Sequence, residues 1–532
     1  MKSAYLVANG DLRLNANQIC EEAQAELEKK IFLAFEREGV KIVRAHQYDQ
    51  TKKHGFIDSQ KYGIEVFHNI PKDAPLIVAE AVWEYTQHIL PGLLNHRGPI
   101  ITIANWSGKW PGLVGLLNIN GSLTKAGIEY SSIWSENFND EFFLWGIRSW
   151  INNGKISHNI SHVRTYKKIE IPNEYSIIGI KYAEELKINQ AIMGVFDEGC
   201  MGMYNAIVPD ELLHSIGIFK ERLSQSTLYA KMQTITDKEA QKIFEWLKVK
   251  GMKFNFGTNE ETELTENQII QQCKMYIAAL RIADKFGCGA IGIQYQQGLR
   301  DLCPASDLAE GLLNNVDRPP VHNEATKETL YEGDALPHFN EADECAGIDA
   351  YITNQIWKRL GYSPETTLHD IRWGRHYKGN GVDEFVWVFE ISGSIPAAHI
   401  EGGYKKAVSE RQPPVYFKLG GGTLKGISRP GFFVWSRVFI ENGKLSYDTG
   451  IGEAVKLPLN ETEERLKLTT YQWPIMNATL KGITRDQMMA RHKSNHIQVV
   501  YAPDLQSAKR GLYVKAAAMD ALGLNVNICG EV

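Results

Sequence analysis

The order Ala4-Tyr5-Leu6-Val7-Ala8, then residues 18–38, then Val40-Lys41-Ile42-Val43 decides the class of the fold. The first and last of these runs are apolar and of strand length. Residues 18–38 carry apolar side chains at helical spacing on a background rich in Glu and Lys. The pattern continues with strand-length runs at 75–79 and 100–104. Strands alternating with helices predict a parallel sheet covered by helices. A strand over 189–196, helices over 210–216, 237–248 and 265–286, and a strand over 290–294 predict a second α/β unit. After about residue 380 the runs 384–392, 414–419, 431–441 and 496–502 are rich in Val, Phe, Tyr and Trp. Gly, Pro and Asn442-Gly443 separate them, which predicts an antiparallel sheet or barrel. The expected division is 1–175, 176–358 and 359–532.

The chain has 532 residues, 43% hydrophobic and 23% charged, which is the composition of a folded globular protein with more than one core. Its net charge of −5 provides no basic field for nucleic acid or anionic membranes. No run approaches the roughly 18 apolar residues of a membrane span. The N-terminal apolar run gives way to Asn9-Gly10-Asp11 and lacks the apolar core of a signal peptide. Seven scattered cysteines with no CxxC pair fit reduced thiols in a cytoplasmic protein.

Phosphate-loop, nucleophile-elbow and HExxH motifs are absent. Gly420-Gly421-Gly422 fits a tight turn or a close backbone approach better than a nucleotide cradle. The remaining chemistry lies in scattered polar segments. Residues 292–301 place Gln294, Gln296 and the Arg300-Asp301 pair just after an apolar run, where open α/β sheets bind ligands. Glu341 stands in an acidic stretch that opens a helical pattern, His369-Asp370-Ile371-Arg372 follows it, and Asn495-His496 precedes a β-branched run. Each has an ordinary structural explanation: helix capping, an ion pair, a hydrogen-bonded core histidine. No spacing rule joins them.

In this order the segments resemble the L-fucose isomerase family, within the L-fucose/L-arabinose isomerase superfamily. The run 292–307 is similar to the family's Gly-Phe-Gln-Gly-Gln segment, and residues 341–347 resemble the stretch with its metal-binding glutamate. Asp370-Ile371-Arg372 resembles its Asp-Val-Arg, and residues 416–422 its Tyr-Phe-x-Gly-Gly-Gly. Trp473-Pro474 and Asn495-His496 resemble its Trp-Pro and Asn-His. The resemblance implies two Rossmann-like α/β domains followed by a C-terminal antiparallel β-barrel domain, Mn²⁺ (or Mg²⁺ or another divalent cation), and a homo-oligomer, commonly a hexamer. It implies Glu341, Asp370 and His496 as metal ligands, with Glu341 and Asp370 also as the acid/base pair of aldose–ketose isomerisation through a cis-enediol. Gln296, Ser392, Tyr416, Trp473, Asn495, Arg372, Trp83 and Arg13 are carried over as sugar-contacting positions.

Two departures bear on the sugar. Residues 105–112 resemble arabinose isomerase instead, and Arg372 is followed by Trp373-Gly374-Arg375-His376 where the family is aromatic. Arg375 and His376 could recognise a 6-sulfonate or phosphate, or could pair with surface acids. The readings are therefore an isomerase of an L-fucose or D-arabinose type sugar, an isomerase of an anionic, sulfoquinovose-like aldose, or a sugar-binding protein without turnover.

Overall fold

The computed structural model describes residues 1–532. The first sheet has five parallel strands, β1 (Ser3–Val7), β2 (Lys41–Arg44), β3 (Leu76–Glu80), β4 (Ile100–Asn105) and β5 (Ser131–Ser135). Their order β2-β1-β3-β4-β5 reverses direction between β1 and β3, which opens a crevice at the carboxyl ends of those strands. The helices Leu14–Arg37 and Gly112–Ala126 are two of its crossovers. β6 (Val163–Thr165) leaves this unit and joins the C-terminal sheet.

A second parallel sheet holds β7 (Ala191–Phe196) and β8 (Ile218–Leu223), with β9 (Lys253–Phe254) lying apart and β10 (Cys288–Ile293) completing the order β10-β7-β8. The helices that pack on it start on side-chain caps. Thr236 with Glu239, and Thr265 with Gln268, form reciprocal capping boxes, as Thr-x-x-Glu/Gln spacing dictates.

The last third supplies β11 (Thr366–Gly379), β12 (Val382–Glu390), β13 (Val408–Ser409), β14 (Gly431–Glu441), β15 (Lys444–Ala454), β16 (Ile475–Leu480), β17 (His496–Tyr501) and β18 (Asn525–Cys529). Antiparallel pairings run β14-β17-β11-β12-β16-β15, and β15 also pairs with β14. β18 adds to β15 in parallel and β6 to β18 antiparallel, so the large sheet is mixed. Asn442 (φ 52°) and Gly443 (φ 70°) turn the β14–β15 hairpin, which needs positive φ at both central positions. The architecture is thus mixed α/β, with two parallel sheets and one large mixed sheet.

The expected strand at 414–419 is absent. Both Tyr416 and Phe417 donate their N–H to the Pro413 carbonyl, so this segment is a turn held between Pro413-Pro414 and the triple glycine. The glycines are needed for close approach: at Gly421 (φ 108°) a Cβ would stand 2.8 Å from the Ala305 backbone nitrogen.

Two apolar layers bring the thirds of the chain together. Trp106, Leu113, Leu116 and Trp134 of the first unit pack with Ile371, Trp387, Phe389 and Ile497 of the large sheet. Phe339, Ile348 and Trp357 of the middle unit share a core with Leu368, Val434 and Leu512. Each fully buried tryptophan there is worth roughly 3–5 kcal/mol against alanine, which is enough to fix the seam between the units. No helix is long and apolar enough to cross a membrane. All seven cysteines are free thiols, and all are buried.

Candidate active site

Glu341 reaches the seam from a left-handed turn, not from the helix its acidic neighbours suggested. Glu341 (φ 58°) and Ala342 (φ 53°) both lie in the region that costs a non-glycine residue about 1–2 kcal/mol. Contacts on both sides hold them there. Phe339 N–H donates to the Ile291 carbonyl of β10, and Asp343 caps the helix Glu344–Leu360 by accepting from Ala346 N–H. A second left-handed turn, Cys200 (φ 42°) and Met201 (φ 50°), meets the first through Cys200 Sγ and the Ala342 carbonyl, 2.8 Å apart.

The other two members of the triad follow from strand register. Asp370 on β11 pairs with Glu390 on β12 and with His496 on β17, so all three side chains share one sheet face. Asp370 Oδ1 and Glu341 Oε2 each stand 3.6 Å from His496 Nε2. That nitrogen is buried and has no hydrogen-bond partner. The other ring nitrogen, Nδ1, lies 2.7 Å from Asp343 Oδ2, which also accepts from Arg437 Nη1 at 2.6 Å. An ionised Asp343 can only accept, so Nδ1 carries a proton, and in the neutral ring Nε2 presents a lone pair to the two carboxylates.

The spacing of the three donors can be compared with that around a divalent cation. Ligands each about 2.1 Å from one six-coordinate ion stand about 3 Å apart when adjacent and about 4.2 Å apart when opposite. The 3.6 Å separations lie between these values. No group of three His, Cys, Asp or Glu is drawn into a closed metal-binding cluster anywhere in the chain, so this triad is an open one. Its chemistry nevertheless fits: two carboxylates and a bare imidazole nitrogen, with the far side of the imidazole held by a carboxylate.

The charges lead to the same place. Burial, opposed by His496 and Arg13 and reinforced by Asp370 and Asp343, leaves Glu341 raised to about 7. Burial also raises Asp370, against His496, Arg372 and the 3.1 Å hydrogen bond from Asn495 Nδ2. Burial opposes ionisation of Asp343, but Arg437 and His496 overcome it and hold that carboxyl low. Burial likewise opposes protonation of His496, and Asp343, Asp370 and Glu341 more than offset it. Asp307, raised to about 7 chiefly by burial, is close enough for the Glu341 charge to oppose its ionisation further.

These groups border a cavity of about 50 Å³, with about 500 Å³ of atom-free space once its mouth is counted. Glu341, Asp370, Gln296, Ser392, Tyr416, Trp473, Asn495, Arg372, Trp83 and Arg13 all line it, and His496 is reached through Glu341 and Asp370. Arg13 is locked by Asp11, its Nε and Nη2 donating at 2.8 and 2.6 Å. Its Nη1 donates to Gln296 Oε1 at 2.9 Å, and its guanidinium lies 4.7 Å from the centre of the Tyr416 ring. Trp473 Nε1 donates to Gln412 Oε1 at 2.8 Å, which fixes the indole as a wall. Arg372 Nε is 3.4 Å from Glu390 Oε2, a charge contact without hydrogen-bond geometry.

The structure does not bring Arg375 to this cavity. Arg372 is an extra residue at an irregularity between Ile371 and Trp373, and Arg375 lies roughly 10–15 Å farther along β11 than Asp370. Its guanidinium is bound by Glu461 at 2.9 Å and Glu464 at 2.8 Å. His376 faces Asp383 at 3.2 Å on the surface. The surface-pairing alternative for these two residues is the one observed.

Sequence reasoning did not single out Asp343, Arg437, Glu390, Asp11 or Gln412. Asp343 had a visible sign, since it adjoins the candidate Glu341, but a helix-capping aspartate explains itself. Neither a scan of protein families nor a search of curated proteins finds a match to this chain.

Proposed function

We propose that this chain is a divalent-metal-dependent aldose–ketose isomerase of the L-fucose isomerase type. In this reading the parallel sheets are two Rossmann-like domains, and the returning circuit β14-β17-β11-β12-β16-β15 is the antiparallel barrel. One observation carries the functional reading: Glu341 and Asp370, from different units, meet the bare Nε2 of a histidine whose other nitrogen is anchored to a buried carboxylate.

Glu341, Asp370 and His496 would hold Mn²⁺ or a similar hard cation. When bound, it supplies Lewis-acid polarisation of the sugar's O1 and O2 and offsets enediolate charge. The protein's own groups do the rest. A carboxylate of the Glu341/Asp370 pair removes the proton from C2 of the open-chain aldose and delivers it to C1, while the O2 hydroxyl proton moves to O1. Asn495 fixes the orientation of Asp370, and the Arg13–Gln296 contact presents amide groups to sugar hydroxyls. Trp83, Tyr416 and Trp473 offer flat apolar walls to the C–H faces of the sugar and exclude water from the reacting carbons.

The neutral-sugar reading is preferred to the anionic one. Arg13 is neutralised by Asp11, Arg372 faces Glu390, and Arg375 lies outside the cavity. Among the guanidiniums lining the site only Arg372 lacks a hydrogen-bonded carboxylate, and Glu390 stands beside it.

The decisive experiment incubates the Mn²⁺-loaded protein with neutral and 6-anionic aldoses and measures ketose. Ketose from a neutral sugar, abolished by EDTA and by Glu341→Gln, is expected. Turnover undiminished by either treatment would overturn the metal mechanism. Binding without turnover across the panel would favour the non-catalytic sugar-binding reading.

A further inference from the structure

β11 carries one residue too many where it faces β12. Ile371 pairs with Phe389 and Trp373 with Val388, so Arg372 has no partner position of its own. Ile371 packs with Phe389 and Trp387, and Trp373 meets the cluster of Val388, Leu466 and Ile475. In an unbroken ladder position 372 would stand opposite Val388 and be spent on that contact. The bulge gives that place to Trp373 and re-aims Arg372, which lines the cavity together with Asp370.

The guanidinium delivered there has donors to spare. Arg372 is 4% exposed, and its Nε has no hydrogen-bond partner. Of its five N–H groups only one is used, from Nη2 to Thr470 Oγ1 at 3.4 Å. Glu390 Oε2 lies 3.4 Å from Nε. That carboxyl is fully buried and accepts from Thr469 Oγ1 at 2.5 Å and from Thr470 N–H at 3.4 Å. Thr469 and Thr470 thus hold Glu390, and Thr470 also touches the guanidinium, so one short segment sets the place of both. Arg13, the other guanidinium on the cavity, donates from Nε, Nη1 and Nη2 to Asp11 and Gln296. A buried donor left unpaired costs about 1–3 kcal/mol, which an acceptor in the cavity would recover.

The position of Arg372 indicates which acceptor. Residues two apart along a strand are separated by roughly 6–7 Å at Cα, so the side chains of Asp370 and Arg372 reach the same end of a bound sugar. Burial raises the Asp370 carboxyl and the Tyr416 hydroxyl, and the Arg372 charge is among those that oppose it at both. The guanidinium is therefore in electrostatic reach of a member of the acid/base pair. Glu390 beside it offsets its charge at long range, which gives a permanent anion little to gain. The N–H groups remain strong donors at contact distance, where charge that develops during a reaction is met.

We propose that Arg372 is a further catalytic residue, which donates its free N–H groups to the sugar oxygen that becomes negative as the C2 proton leaves, and that Glu390 is its positioning residue. The proposal rests on the isomerase reading. In that step the C2–H bond breaks and its proton passes to a carboxylate of the Glu341/Asp370 pair. The electron pair left on C2 forms the C1=C2 bond, and the π pair of C1=O1 moves to O1. O1 accepts weakly from Arg372 before the step and strongly after it, so the contact favours the transition state over the bound sugar.

The test measures ketose formation by the full Mn²⁺-loaded chain from L-fucose and D-arabinose. Arg372→Ala should lower kcat about 10²–10³-fold, the usual cost of one oxyanion donor. KM should change less than about threefold, because the lost contact belongs to the transition state. Guanidinium ion at millimolar concentration should restore at least tenfold of the lost rate, and urea, of the same shape without the charge, should not. Glu390→Gln keeps the donor but loosens it, and kcat should fall about tenfold with KM unchanged. Arg372→Ala leaves the Glu390 carboxyl alone in the interior, so Arg372→Met/Glu390→Gln, which removes both charges, guards against misfolding and should show the same kcat loss. A raised KM with kcat intact would make Arg372 a contact of the bound sugar and overturn the proposal. Unchanged kinetics, or a loss that guanidinium does not relieve, would overturn it as well. In each of those cases the parent still makes ketose and the isomerase reading stands. A parent that makes none from any aldose brings down that reading, and this proposal with it.

Discussion

The ring of His496 has two nitrogens in different surroundings, and Asp343 decides which one faces Glu341 and Asp370. Asn at position 343 could offer Nδ1 a donor in place of an acceptor, which would move the ring proton to Nε2 and remove the lone pair from the cavity. Asp343→Asn should therefore weaken divalent-metal binding about 10–100-fold, read by calorimetric titration, with activity recovering at high Mn²⁺. Unchanged metal affinity would show that the anchor has no such role. Arg375→Ala has the opposite expectation. Its charge is spent on Glu461 and Glu464, so kcat/KM for a neutral aldose should change less than about twofold and stability by about 1 kcal/mol or less. The contrast shows what the sequence could convey about residues. Glu341, Asp370 and His496 were visible as candidates, but Asp343 resembled any capping aspartate, and the offset that parts Arg375 from Asp370 leaves no mark in the spacing.

At the scale of elements, composition reported periodicity well and packing poorly. The apolar runs at 100–104 and 496–502 are strands because every residue in them meets either a core or a ladder. The run 414–419 is equally aromatic but cannot enter a ladder beside Pro413-Pro414, and Tyr416 instead stands over Arg13. β11 also carries a feature that no run of letters reveals. His369, one residue from Asp370, is fully buried with both ring nitrogens unpartnered, and burial lowers it to about 3. Unfolded, it would titrate near 6.5. Between those values the unfolded chain binds a proton that the folded chain refuses. Its stability contribution is therefore intact above about pH 6.5 and is lost progressively as pH falls toward 3. Glu344 and Glu390, both raised by burial to about 7, act in the opposite sense: the folded chain keeps a proton that the unfolded chain releases, and stability falls as pH rises from about 4.5 through 7. A difference measurement isolates the histidine. His369→Leu should shrink the loss of urea stability between pH 7 and pH 4.5 relative to the parent, by an amount on the order of 2–3 kcal/mol. Equal losses in both proteins would mean that His369 protonates in place or is solvated.

The whole molecule places its candidate chemistry on a seam. Glu341 comes from the middle unit and Asp370 and His496 from the large sheet, while Arg13 and Trp83 arrive from the first unit. A cation held by the triad would therefore tie the middle unit to the large sheet, and its binding free energy would appear as resistance to unfolding. At 100 times the dissociation constant the gain is about 2.7 kcal/mol for a single site that the unfolded chain lacks. Mn²⁺ should raise the thermal midpoint of the parent protein by a few degrees. In Glu341→Gln most of that rise should disappear, since the ligand lost is the one from across the seam. Arg375→Ala makes the control, because its guanidinium is spent on Glu461 and Glu464 outside the cavity. If Glu341→Gln kept the full Mn²⁺ shift, the stabilising cation would bind elsewhere on the chain. The triad would then have to be explained without a metal that spans the seam.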